Sequence, residues 1–75
     1  MRNYTLSEIK HFVRLGIAQD ITNATHAEAL EISNRCDPVG YSCGKYGING
    51  GLLQDRTSGA MYAVSARNST LFMLF

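Results

Sequence analysis

The chain has 75 residues, 45% of them hydrophobic and 17% charged, with seven Lys and Arg against six Asp and Glu. A folded chain this short hides only about 60% of the surface its unfolded form exposes, which allows one small domain over residues 1–75 and makes a partner subunit or ligand a natural source of extra stability. The composition is too apolar for a disordered chain, and a net charge of +1 leaves no electrostatic footprint for nucleic acid or an anionic membrane.

No apolar run approaches the roughly 20 residues that cross a bilayer. Glu8, Lys10 and His11 interrupt any secretory signal core after Met1, so a cytoplasmic protein is expected. Cys36 and Cys43 are too few for a disulfide-built fold. Free thiols are the expectation, and a bridge between the two requires the chain to fold back there.

The first half reads as helical. Thr5-Leu6-Ser7-Glu8 is a capping box, in which the threonine hydroxyl accepts from the Glu8 amide and the Glu8 side chain reaches back. Leu6, Ile9, Phe12, Val13, Gly16 and Ile17 then recur at three-four spacing, one face of an amphipathic helix. Gly16 falls on that stripe, where close approach of another backbone is its expected use. Asp20-Ile21-Thr22-Asn23 reads as a break, and Thr25-His26-Ala27-Glu28 is a second capping box. Ala27 and Leu30, with Ala29 and Ile32, are expected to face inward on the second helix. Cys36-Asp37-Pro38 ends it, because the residue before proline is pushed out of helical space.

The second half reads as strands. Val39 to Ile48 looks extended, and Asn49-Gly50 is the strongest short hairpin signal because both residues tolerate positive φ. Gly51–Asp55 is the return strand, Arg56–Gly59 a second turn, and residues 60–66 a third strand. The expected fold is α+β: two N-terminal helices on one face of a three-stranded antiparallel meander. The apolar end, Leu71-Phe72-Met73-Leu74-Phe75, fits a short helix or a fourth strand. Exposed, it is an aggregation hazard, so it either completes the core or makes a subunit contact through Leu71, Phe72 and Phe75.

Catalysis is not expected. His11 and His26 fall on helix surfaces, the two cysteines make no short metal-ligand pair, and the glycine-rich stretches do not lead into a helix as a phosphate loop does. No cofactor and no metal are expected. The acidic second helix repels phosphate, which disfavours a helix-turn-helix reading. Tyr41, Tyr46 and Tyr62 with Lys45, Arg67 and Asn68 are the candidate binding residues, for a protein surface or for a small nucleotide ligand.

Three stretches, residues 15–22, 46–53 and 62–69, together resemble small proteins of Gram-positive gut bacteria and their phages. That group has no established activity, so no functional residue carries over. The resemblance implies a context of mobile elements, in which compact proteins block host machinery by occupying a surface. The expected role is therefore a non-enzymatic interaction protein of the host cytoplasm, a phage-type inhibitor of a defence or regulatory complex. A sponge for a signalling nucleotide is the alternative.

Overall fold

The computed structural model describes residues 2–44 and 47–65. The chain forms β1 (Arg2–Asn3), α1 (Leu6–Arg14), β2 (Ala18–Asp20), α2 (His26–Arg35), β3 (Cys36–Gly44), β4 (Gly47–Asp55) and β5 (Met61–Ser65). The strands make one mixed sheet in the order β1-β3-β4-β5-β2. The antiparallel meander β3-β4-β5 is at its centre. Two short strands flank it, β1 parallel to β3 and β2 parallel to β5, so that β4 alone runs against the others.

Both capping boxes form as the sequence predicts. The Glu8 amide donates to Thr5 Oγ1 at 3.1 Å and the Thr5 amide to Glu8 Oε1 at 3.2 Å. Thr25 and Glu28 repeat the exchange at the start of α2. The end of α1 differs from expectation. Gly16 has φ +76° and lies beyond the helix rather than on its apolar stripe. Its amide donates to the Val13 carbonyl at 3.1 Å, and that of Ile17 to the Phe12 carbonyl at 3.0 Å. This pair of bonds is a Schellman motif, and it needs a left-handed residue that glycine supplies without a Cβ penalty. The chain therefore leaves the helix two residues before the apolar pattern ends, and Ala18 opens a strand that the sequence reading did not assign.

The helices do not share a face. Ile9 of α1 packs with Ala18, Leu52 and Ala63, and is joined by Phe12 and Val13. Ala29 of α2 packs with Ile21, Cys36, Leu53 and Val64, and is joined by Ile32. Leu52 and Leu53 are neighbours on β4 and point to opposite faces, and both are fully buried. The sheet is thus the middle layer between α1 and α2. The reason is topological. The connection through α1 crosses from one sheet edge to the other, and the connection through α2 comes back. Two parallel crossovers of the same hand that travel in opposite directions lay their helices on opposite faces. A strand covered on both faces loses the polar alternation of a one-sided sheet, which is why Leu52-Leu53 and Ala63-Val64 are apolar pairs.

On α2 the inward stripe is Ala29, Ile32 and Ser33, and Ala27 and Leu30 are exposed. Spacing of three and four from Ala29 brings Ile32 and Ser33 to the sheet side, and Leu30, one residue on from Ala29, turns away from it. Ser33 meets its own need by donating to the Leu30 carbonyl at 2.9 Å.

The hairpin also differs. Gly44 pairs with Gly47, so β3 and β4 are joined through positions 45–46, and Asn49-Gly50 lies inside β4. The register passes from Ser42↔Gly50 to Cys43↔Ile48, leaving Asn49 as the extra residue of a bulge. A second irregularity skips Val39, beside Pro38, where a missing amide is tolerated. Gly50 serves packing rather than turning: a Cβ there would stand 3.2 Å from Leu6 Cδ1 and 3.3 Å from the Val64 carbonyl oxygen. The second turn forms as expected over Arg56–Ser58, with Gly59 at φ +79°. Cys36 carries a free, buried thiol, which burial pushes up in pKa, with the Asp55 charge acting in the same direction.

Candidate functional site

Of the six candidate binding residues, Tyr41 and Tyr62 are within the described part. Lys45, Tyr46, Arg67 and Asn68 lie outside it, as do Leu71, Phe72 and Phe75. Tyr41 is half-buried on β3, and its carbonyl accepts the Tyr4 amide at 3.0 Å. Tyr62 is half-buried on β5. The register puts Tyr41 opposite Gly51, and Tyr62 opposite Leu53, so both belong to the face that α2 covers.

Tyr62 is part of a polar network that the sequence reading missed. Arg35, the last residue of α2, spreads its guanidinium over three acceptors: Asp55 Oδ2 at 3.1 Å, Glu31 Oε1 at 3.2 Å and the Tyr62 hydroxyl at 3.4 Å. It also stands 5.8 Å from the Tyr62 ring centroid, within cation–π range. Asp55 is buried. Its other oxygen accepts the amides of Thr57 at 2.7 Å and Ser58 at 3.0 Å. Those two amides, Ser58 first, hold the Asp55 carboxyl below the usual carboxylate range, and Arg35 acts in the same direction. Arg56 adds a second tie, donating to Asp37 Oδ1 at 2.9 Å and to the carbonyls of Cys36 and Asn34. The network bolts the end of α2 to the β4–β5 turn. The signal for it was Asp-Arg-Thr-Ser-Gly, an Asx-type turn sequence.

Two concavities are formed by the described residues. A groove of about 140 Å³ lies between α1 and the carboxyl ends of β2 and β5, with Leu6, Ile9, Val13, Ala63 and Val64 as its apolar walls. Its polar rim is Lys10, Asp20, Thr22 and Ser65. Asp20 Oδ1 accepts the Thr22 amide at 2.9 Å, and Thr22 Oγ1 accepts the Ser65 amide at 3.2 Å. A wider depression of about 480 Å³ lies at the opposite end of the sheet, lined by Asp37, Asp55, Arg56 and their turn. There Arg56 is paired with Asp37, and Gln54 with the Gly59 carbonyl.

A third feature is convex. Leu15 and Ile17, on either side of Gly16, are 59% and 51% exposed, and Leu30 is 39% exposed. Leu15 closes α1 and Ile17 follows the Schellman turn, so one hydrogen-bonded corner presents both side chains. The sequence reading put Ile17 on the buried stripe, because the helical period was carried one turn too far.

His11 is on α1 and His26 on α2, on opposite sides of the sheet. Among the described residues no three His, Cys, Asp or Glu side chains gather where a metal ion could be held. No helix among them is long and apolar enough to cross a membrane. The chain matches no family model, no curated protein and no solved structure.

Proposed function

We propose that the chain is a non-enzymatic interaction protein that acts in the cytoplasm by occupying the surface of a protein target. The observation that carries this reading is the exposed pair Leu15 and Ile17, held by a hydrogen-bonded turn. A fixed apolar corner binds with little ordering cost, because its conformation is set before the partner arrives. The resemblance to proteins of mobile elements supports a host defence or regulatory complex as the target.

The small-molecule alternative has less to support it. Ligand sites enclose about 300–1,000 Å³, and the apolar groove offers about 140 Å³, too little for a nucleotide. The wider depression has the volume, but its charged groups pair with one another.

The test compares the full chain with Leu15→Asp/Ile17→Asp as immobilised bait in host cell extract. Both positions are exposed, so the variant should keep its helical circular dichroism and melting temperature. A stoichiometric protein retained by the native chain and lost by the variant is the expected result. A retained set identical for the two baits would overturn the reading.

A further inference from the structure

We infer that the groove between α1 and the carboxyl ends of β2 and β5 binds a free α-amino acid with a short aliphatic side chain, such as leucine. The inference goes beyond surface binding and uses no part of the Leu15 and Ile17 corner.

Leu6, Ile9, Lys10 and Val13 form one stripe of α1, at helical spacing from Leu6, and all four line the groove. Lys10 is the charged member of an otherwise apolar stripe. Across the groove, at the end of β2, is Asp20. Both residues are exposed, so the rim carries one charge of each sign. The two do not neutralise each other. Among the described residues ion pairs join Arg35 to Glu31 and Asp55, and Arg56 to Asp37, and none joins Lys10 to Asp20. Glu8, the carboxylate of α1 itself, is turned to the Thr5 amide by the capping box and lies outside the groove.

An anion alone would meet Asp20 there, and a cation alone would meet Lys10. A zwitterion matches both: its carboxylate goes to the Lys10 ammonium and its ammonium to the Asp20 carboxylate. Asp20 Oδ1 accepts the Thr22 amide at 2.9 Å, but an ionised carboxylate has about four lone-pair sites and can accept a further N–H. Volume sets the size of the side chain. The groove holds about 140 Å³, close to the cavities of roughly 150 Å³ that admit benzene. The branched side chain of leucine is smaller than that ring and fits against Leu6, Ile9 and Val13. An apolar wall with a few placed polar groups is the usual make-up of a small-ligand site. The carboxyl ends of parallel strands, as β2 and β5 are, are where helix-flanked open sheets place such sites.

The probe is L-leucine, titrated into the isotopically labelled full chain while amide shifts are followed. Shifts clustered at Lys10, Val13, Asp20, Thr22 and Ser65 are expected. Two analogues keep the side chain and drop one charge each: isovalerate lacks the ammonium and isoamylamine lacks the carboxylate. Each should bind about tenfold more weakly, through loss of one charge-assisted hydrogen bond. Lys10→Gln and Asp20→Asn should weaken leucine by about the same factor. Both side chains are exposed, and asparagine keeps an oxygen for the Thr22 amide, so the melting temperature should hold. Should a variant not fold, the analogues still decide on the native chain. Glycine, with no side chain to seat, should give no shifts. No shifts with leucine, shifts elsewhere, or a singly charged analogue that binds as well as leucine would overturn the inference. Leu15→Asp/Ile17→Asp should bind leucine as the native chain does, so this site and the surface-binding reading stand or fall separately.

Discussion

Gly16 decides where α1 stops. With φ at +76° and open space where a Cβ would stand, the constraint is conformational rather than steric crowding. Gly16→Ala should lower stability by about 1 kcal/mol, the cost of placing an L side chain in left-handed space. Gly16→Asn should lose less, because asparagine tolerates that region. Urea melts of the three proteins at one pH check the order. Gly50 presents the contrasting case: its backbone is ordinary, and what it supplies is room for Leu6. In the sequence both glycines look alike. One sits on an apolar helical stripe and one in a hairpin signal, and only the tertiary neighbours separate ending a helix from admitting one.

At the scale of elements, the end of α2 and the β4–β5 turn behave as one unit through Asp55. Its carboxyl is held below the usual carboxylate range in the folded protein. A depressed folded pKa means that the unfolded chain binds a proton first as pH falls. The stabilisation is therefore complete above the ordinary aspartate pKa and is lost as pH drops through the folded value. Melting temperature followed from neutral to acidic pH should fall in that window, and in Asp55→Asn the fall should be shallower from a lower starting point. An unchanged acid limb in the variant would show that other carboxylates set it. The capping boxes at Thr5 and Thr25, the break after Asp20 and the turn at Arg56 were legible in the sequence because each is a local competition among neighbours in the chain. The Asn49-Gly50 turn was misread for the complementary reason. A two-residue hairpin signal states that a turn is allowed, and pairing of Gly44 with Gly47 leaves Asn49-Gly50 inside β4.

For the whole molecule, the decisive fact is that α1 and α2 lie on opposite faces of the sheet. The amphipathic helices, the three central strands and their order were readable, because hydrophobic period and turn residues report them. The short parallel edges β1 and β2 were not, because strands of two and three residues carry no period. Without them a one-faced meander was the economical assembly. The two-sided core makes Leu52 and Leu53 equally sensitive. Leu52→Ala and Leu53→Ala should each cost about 2–5 kcal/mol. A chain of this length has roughly 4–11 kcal/mol in all, so each single variant should melt far below the native chain and the double variant lower still. A single variant that melts with the native chain would contradict burial of that leucine on its face of the sheet. At the candidate site the outcome follows the same division. Tyr62 stood out in the sequence as a candidate binding aromatic, and its attachment to Arg35 was not legible, because the two are 27 residues apart.

The edge pairing has a consequence for how the chain acquires its shape. Among the described residues β2 pairs with β5 alone, and the bond between Thr22 and Ser65 joins residues 43 apart in the chain. Closing so long a loop costs entropy before any contact rewards it. Topologies dominated by such distant pairings fold slowly for their size. During synthesis the α1–β2 unit must wait, with Ala18 and Ile21 still in water, until β5 has left the ribosome. The β3–β4 hairpin needs no such delay and is the natural place for folding to begin.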